Sequence, residues 1–306
     1  MSSSLKTEPI SELIDGGGVV VLPTSPGQQF QSLDHEAIVE LFERHGVLLF
    51  RGFGLDTEDI ITVTDYFTET YAPDAVRRPH RFGKKQIRNV ETGEAEIGFH
   101  SEAAFGPTWP EIIWFYCRVP SNAGGYTTIC DGVMLWKKLS PQTRQFFLTQ
   151  PVKYHYLSEL GEKMPGRGRE PWPFHTVGVE GYWDRDNGVA DLSVLRFAVQ
   201  ESRSRQLCFA NHAFTDFANL TTTMSDGTPI PGEMLAEIRE AARLLTCDVR
   251  WQPTDLLMLD NRRFTHGRRA FDSSRDPRDI VQVQTALASF AFGATTRKAI
   301  RRPNRE

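Results

Sequence analysis

The sequence has few cysteines and no pair of them placed to work together. Cys117, Cys130, Cys208 and Cys247 are far apart and form no CxxC unit. That spacing argues against a disulfide framework and against a thiolate zinc site. Cys117, Cys130 and Cys208 sit in apolar, strand-like runs, so buried free thiols are expected. No apolar run approaches the ~20 residues that a membrane-spanning helix needs. The opening stretch, MSSSLKTEPISELIDGGG, has no apolar core of signal-peptide length. A reducing, cytoplasmic location without a membrane partner is the expectation. Charge of one sign is not in excess either. The net charge of -4 over 306 residues gives nucleic acid no electrostatic hold. The one charge cluster, Arg297, Lys298, Arg301, Arg302 and Arg305, reads as a solvated chain end. Internal repeats and low-complexity linkers are absent, and nothing in the sequence reports an oligomeric state.

What is present is a mixed composition, 40% hydrophobic and 11% aromatic, able to bury a large core. A single domain over residues 1–306 is expected. Residues 34–45, DHEAIVELFERH, put Ile38, Leu41 and Phe42 on one helical face, and Gly46 ends the helix. Residues 47–50, VLLF, read as a buried strand, and residues 56–70 as a second helix with an acidic first turn. From about residue 97 the texture changes. Short apolar and β-branched runs at 112–117, 126–130, 206–210, 247–251, 255–259 and 280–288 are separated by turn residues. Residues 231–245 form the clearest late helix, with Pro231 at its start and Met234, Ile238, Ala241 and Leu245 at helical spacing. Residues 155–200, rich in Pro, Gly and Trp, suggest an ordered insertion or lid. The pattern predicts a mainly β fold with flanking helices. A double-stranded β-helix (jelly roll) core over about residues 97–290 fits it.

The sharpest local feature is His100–Ser101–Glu102. In an extended segment, side chains at i and i+2 leave the same face. His266 follows far downstream in LDNRRFTHGRRAF. Two imidazoles and one carboxylate on one face of a metal leave about three coordination positions open, which suits Fe(II) binding a bidentate co-substrate and O2 together. Taken alone, an HxE is commonly an ordinary surface pair, and His266 alone is commonly a packed or capping histidine. Arg278 stands twelve residues after His266, ahead of the apolar run at 280–288. Its guanidinium suits the far carboxylate of a bound diacid; Arg275 is the rival. Thr127 offers a hydroxyl just after the Gly124–Gly125 turn.

These residues resemble the taurine dioxygenase (TauD/TfdA) family of Fe(II)/2-oxoglutarate oxygenases. The elements stand in the family's order over about residues 46–290: VLLFRGFG, FHSEAAFGPTWPEIIWFYC, GGYTTICDG, DGTPIPGEML and VRWQPTDLLMLDNRRFTHGRRAF, then a downstream Arg. WPEIIWFYC and DGTPIP are similar to the syringomycin-type amino-acid hydroxylases of natural-product pathways. The resemblance implies a clavaminate synthase-like jelly roll, Fe(II) as the metal, and 2-oxoglutarate and O2 as co-substrates. It implies that His100, Glu102 and His266 are the metal ligands. It also implies that Thr127 and Arg278 hold the far carboxylate of 2-oxoglutarate. Glu102 stands where many members have Asp, although clavaminate-synthase-like members also use Glu, and it argues against halogenation, which needs a small residue there. Gln282 stands where sulfonate-binding members carry a second Arg, which puts an anionic substrate group at that spot in doubt. Thr254 replaces a common Gly.

For the substrate, Phe99, Phe105 and Trp109 flank the first two ligands, and they are candidates either to line the pocket or to pack the barrel mouth. AAFGPTWP resembles the family's loop over the active site. Asn211 and His212 follow the run QLCFA. His80, with Arg77, Arg78 and Arg81, lies where family members place substrate contacts. Arg262, Arg263, Arg268 and Arg269 are expected to be solvated or ion-paired. Asp260 and Asn261 are expected to hold the turn before His266. The expected activity is oxidation of a C–H bond of a small molecule, an amino acid or an amino-acid-derived intermediate, free or tethered to a carrier protein. Hydroxylation is the first reading, with desaturation or ring closure as the alternative outcome. A zinc-dependent hydrolase or isomerase on a similar barrel would need no Arg278, and a non-catalytic binding protein would have no need of the ligand set.

Overall fold

Alternation along the strands decides the architecture. The computed structural model describes residues 5–10, 17–73, 78–90, 93–159, 168–171, 177–214 and 219–290. In strand Ile112–Val119 the first six residues are all buried. Their side chains part to opposite faces of the sheet. Ile112, Trp114 and Tyr116 join one core, and Ile113, Phe115 and Cys117 join another. A strand covered on both faces reads as an unbroken apolar run.

That strand lies inside a nine-stranded sheet. Its order is Lys6–Pro9, Val19–Leu22, Val47–Phe50, Leu256–Asp260, Ile112–Val119, Asp279–Ala288, Lys84–Asn89 and His80–Arg81, with Thr68–Tyr71 paired to Asp279–Ala288 beside this path. A four-stranded sheet, in the order Cys247–Val249, Thr127–Asp131, Phe264–Arg268 and Ile97–His100, faces it. Ile129, Cys247, Val249 and Phe264 of the smaller sheet pack against Val47, Leu49, Ile113, Phe115, Leu257, Leu259 and Ile280 of the larger. This is the expected jelly roll.

Helices cover the outer faces. His35–His45 and Asp59–Asp65 bury Ile38, Val39, Phe42, Ile60 and Val63 against Trp114, Tyr116, Val281 and Val283. The Asp34 side chain caps the first helix by accepting from the N–H groups of Glu36 and Ala37 at 3.0 and 3.2 Å. Gly46 ends it with φ 73, and a Cβ there would meet the Phe264 ring at 2.7 Å. Gly232–Leu245 matches the late helix expected from the sequence and buries Met234, Ile238, Ala241 and Ala242. All four cysteines are buried free thiols. Among the described residues no helix is long and apolar enough to cross a membrane.

Some expectations change. The helix expected over 56–70 is limited to Asp59–Asp65, because Thr68–Tyr71 is drawn into the large sheet. Thr68 is fully buried there and its hydroxyl bonds that of Thr285 at 2.7 Å, a partner 217 residues away that local propensity does not contain. Within 155–200 the chain forms strands Val152–Glu159, Arg169–Pro171, Val179–Asp184 and Val189–Arg196, which join Leu220–Met224 in a five-stranded sheet. Tyr154, Tyr156, Ala190, Leu192 and Val194 from this sheet pack with Met234, Ile238 and Phe147. Thr254, at the position of the family's common Gly, has φ 71. The C-terminal arginine cluster and Arg77 lie outside the described residues.

One buried ion pair ties the smaller sheet to the turn before His266. Arg263 grips Asp131 with both arms, Nε to Oδ1 at 3.0 Å and NH2 to Oδ2 at 2.6 Å, and both side chains are 6% exposed. Asp131 also accepts from the N–H of Val133 and so caps helix Gly132–Lys138. Removing one partner leaves the other charge buried and uncompensated. Asp131→Ala is expected to lower stability by about 3–5 kcal/mol, read as a fall in the thermal midpoint; an unchanged midpoint would show that the pair contributes nothing net.

Candidate metal centre

Two of the three candidate ligands oppose each other across neighbouring strands. Ile97–His100 and Phe264–Arg268 are antiparallel with His100 opposite His266, and their ring centroids are 4.4 Å apart. Glu102 arrives differently from the sequence expectation. The strand ends at His100, and Glu102 opens a turn in which Ala103 has φ 53. Same-face alternation therefore does not place it; Asn261 does. The Asn261 carboxamide accepts from the Glu102 N–H at 2.8 Å and donates to the carbonyls of Glu102 and Pro110 at 3.0 and 2.9 Å. The Ser101 hydroxyl donates to the Asn261 carbonyl at 2.5 Å. One asparagine thus ties the turn bearing Glu102 to the segment leading to His266.

The donor atoms converge. One ligand atom from each of His100, Glu102 and His266 lies within 4.8 Å of the others. Glu102 Oε2 is 3.7 Å from Nε2 of His100 and 3.7 Å from Nε2 of His266. The Gly98 carbonyl can only accept, so His100 Nδ1, 2.9 Å away, carries the hydrogen and leaves the Nε2 lone pair for a metal. Burial, reinforced by the neighbouring His100, pushes His266 down to about 4, so it is neutral at neutral pH. Burial opposes the charge on Glu102, but Arg78 and the bonds to His100 and His266 outweigh it and hold the carboxyl well below its usual range. Two imidazoles and one carboxylate fit a divalent transition metal bound on one face. His212, whose ring lies 5.2 Å from that of His100, stays outside the group, and burial holds it neutral.

The same cavity contains the candidate diacid anchor. Its lining includes His100, Glu102, His266, Thr127, Arg278 and Gln282. The cavity volume is about 40 Å³, and a neighbouring cleft of about 400 Å³ shares Val90, Arg268 and Arg278 with it. Thr127 Oγ1 accepts from Arg278 NH2 at 3.2 Å and from Trp251 Nε1 at 3.1 Å. A hydroxyl has two acceptor lone pairs and one hydrogen, so the Thr127 hydrogen remains to be donated. Arg278 Nε is buried with no hydrogen-bond partner among the described residues. Burial, with Arg268 nearby, lowers the Arg278 guanidinium to about 10, which leaves it cationic at neutral pH. Two unspent donors beside a buried cation suit a carboxylate. Arg275, the rival, is 86% exposed and pairs with Asp272.

The other candidates stand elsewhere. Phe99 packs against the core beneath the five-stranded sheet. Phe105 sits edge-on to Tyr156 and His212, at 5.0 and 4.9 Å. Trp109 is buried between Arg196 and Arg262, with its Nε1 donating to Ser101. His80 is exposed. The Asn211 amide is taken up by the Ala198 carbonyl and the Ala213 N–H. None of these five is in the lining of the small cavity. Arg263 and Arg269 are ion-paired as expected, and Arg262 lies over Trp109, whereas Arg268 lines the cavity. Two further lining residues come from places to which the sequence reading gave other roles. Arg78 stood only as a neighbour of His80, and Phe115 only within the strand-like run at 112–117. Phe115 was accessible to strand parity, since its register partner across the sheet is Gln282.

Comparison with known proteins places the chain in a family. Residues 8–284 match the taurine catabolism dioxygenase TauD, TfdA family. A clavaminate synthase-like protein of Arabidopsis thaliana is 25% identical over 268 residues, 77% of this chain and 81% of that protein. The 3-((Z)-2-isocyanoethenyl)-1H-indole synthase of Fischerella ambigua is 22% identical over 266 residues, 84% of this chain and 88% of that enzyme. The crystal structure of PvcB from Pseudomonas aeruginosa superposes with a TM-score of 0.61 at 19% identity, covering 93% of this chain and 92% of PvcB.

Proposed function

The chain belongs to the TauD, TfdA dioxygenase family, and from that premise we propose that it hydroxylates a C–H bond of an amino acid or of an amino-acid-derived natural-product intermediate. It is an Fe(II)- and 2-oxoglutarate-dependent oxygenase acting on a small molecule. In this reading His100, Glu102 and His266 hold the iron, and Arg278 with Thr127 holds the far carboxylate of 2-oxoglutarate. The observation that carries it is the sharing of one cavity by two imidazoles, a carboxylate and a part-buried guanidinium–hydroxyl pair. The substrate class is supported by relatives: PvcB is described as an Fe, α-ketoglutarate-dependent oxygenase from an isonitrile synthetic pathway, and DdaC of Enterobacter agglomerans as a dapdiamide synthesis protein.

Bound iron supplies the redox chemistry, in which 2-oxoglutarate and O2 become succinate and CO2 while a substrate C–H becomes C–OH. The chain's own part is positioning and exclusion of water. His100 is oriented by Gly98, and Glu102 by Asn261 and Arg78. Phe115, edge-on to His266 at 5.2 Å, walls the site on the large-sheet side. Arg278 and Thr127 set how far the co-substrate reaches from the metal. Desaturation or ring closure follows from the same site if the substrate is held away from hydroxyl transfer.

A succinate-release screen with Fe(II), ascorbate and a panel of amino and carboxylic acids, free and carrier-bound, tests this. Anaerobic Fe(II) and 2-oxoglutarate should give the weak visible absorption of the chelate. Substrate-dependent succinate with a hydroxylated product is the expected result. A colourless mixture without succinate would favour a zinc hydrolase or a binding protein.

A further inference from the structure

The two oxygens of Glu102 have different partners. Oε2 faces both imidazoles at 3.7 Å, and Oε1 receives Arg78 NH2 at 2.6 Å. The Arg78 and Glu102 side chains are only 9% and 8% exposed, so neither is a surface ion pair that thermal motion would scramble. The guanidinium is itself held from other sides. With its amide oxygen turned toward Arg78, Gln282 lies against the guanidinium, that oxygen 2.6, 2.7 and 3.0 Å from NH1, NH2 and Nε. Gln282 is 1% exposed and locked in its strand opposite Phe115 and Arg88. Arg88 NH1 donates to the Arg78 carbonyl at 3.0 Å and fixes the backbone beneath.

We propose that Arg78, backed by Gln282, is the positioning residue that turns Glu102 Oε2 toward the two imidazoles. With Arg78 on Oε1, the carboxylate is held in the orientation that presents Oε2 to the site. A carboxylate without that partner would have to be ordered by the metal itself, at a cost to its affinity. The position from which sulfonate-binding relatives present an arginine thus has a different use here: Gln282 supports a guanidinium that reaches in from residue 78 and is turned to the metal ligand. The inference rests on the ligand assignment proposed above.

Coulomb's law alone gives the opposite sign of effect, which makes the test decisive. A cation beside a divalent-metal site repels the metal, so its removal should tighten binding if Arg78 is merely a nearby charge. If it orients Glu102, removal should weaken binding by roughly 10- to 100-fold, the usual cost of losing a partner that holds a ligand. The experiment is titration of the metal-free protein with Mn(II), followed by calorimetry, with the visible spectrum of the Co(II)-loaded protein recorded alongside. Arg78→Leu is expected to bind Mn(II) at least about tenfold more weakly and to change the Co(II) spectrum. Arg78→Lys should fall between it and the unaltered protein, because an ammonium retains one contact but not the planar fork. Gln282→Leu keeps every charge and should also weaken binding; it and Arg78→Lys carry the test if Arg78→Leu does not fold. Mn(II) affinity in these variants equal to or tighter than in the unaltered protein overturns the inference. Glu102→Ala and His266→Ala are titrated in parallel. If those two bind Mn(II) like the unaltered protein, it is the ligand assignment that fails.

Discussion

Glu102→Ala should leave no measurable succinate formation and should weaken Fe(II) or Mn(II) binding by more than about 100-fold, beyond the cost of losing a supporting contact. Glu102 is the single anionic donor in the group with His100 and His266. Without it, a dication would meet two imidazoles and the buried Arg78 guanidinium, 9% exposed, with its carboxylate partner gone. Desolvation of the ion would then find little compensation. Glu102→Gln separates charge from shape: it keeps the length and the contact with Asn261 through the backbone, yet should be almost as inactive. Glu102→Asp keeps the charge on a shorter arm and should retain part of the affinity. Metal titration by calorimetry and succinate release at saturating 2-oxoglutarate measure both effects. Full activity of Glu102→Ala would show that the metal is held elsewhere.

Arg278→Leu should act on the co-substrate and not on the metal. The guanidinium is largely buried, hydrogen-bonded to Thr127 at 3.2 Å, with Nε unsatisfied among the described residues. Truncating one partner of a buried, hydrogen-bonded charge pair costs about 2–5 kcal/mol. A 2-oxoglutarate requirement raised by roughly 100-fold or more follows, since 1.4 kcal/mol is tenfold. Mn(II) affinity without 2-oxoglutarate should stay within about twofold, because the side chain contacts none of the three metal donors. Thr127→Val removes one hydrogen bond to a charged group, about 1.5–3 kcal/mol, and should raise the requirement roughly tenfold or somewhat more. Arg275→Leu, on an exposed side chain, should change nothing. A 2-oxoglutarate requirement that Arg278→Leu leaves unmoved removes the anchor from this reading.

Much of the site was legible because metal ligation demands particular residue types. His100, Glu102 and His266 were recognisable as candidate donors in the family's order, and Thr127 and Arg278 as candidate anchors through the same resemblance. Strand identity was legible wherever alternation or an apolar run was long, as over 112–117 and 280–288. The failures have physical reasons. Residues 68–70 read as helix because the partner of Thr68, Thr285, is remote in the chain. Residues 155–200 read as an insertion or lid because Pro and Gly obscured strands whose apolar faces are completed only by Met234, Ile238 and Phe147. Glu102 was expected beside His100 by strand alternation, and it reaches the imidazoles instead from a turn held by Asn261. Arg78 could not be singled out among its basic neighbours, since only its burial against Glu102 distinguishes it.

The sequence by itself determined the chemistry on offer: two imidazoles, an acid with a long enough arm, a hydroxyl and a guanidinium, carried on segments that can only become strands and turns of a two-sheet fold. Those are properties of side-chain composition and local periodicity, present before any packing. Only the tertiary structure decided which of two equivalent carboxylate oxygens is turned to the imidazoles and which to an arginine, and which of several arginines that is. Such choices depend on strand register between residues about 200 apart in the chain, as between Arg88 and Gln282, and on burial that makes a misdirected charge too costly to tolerate.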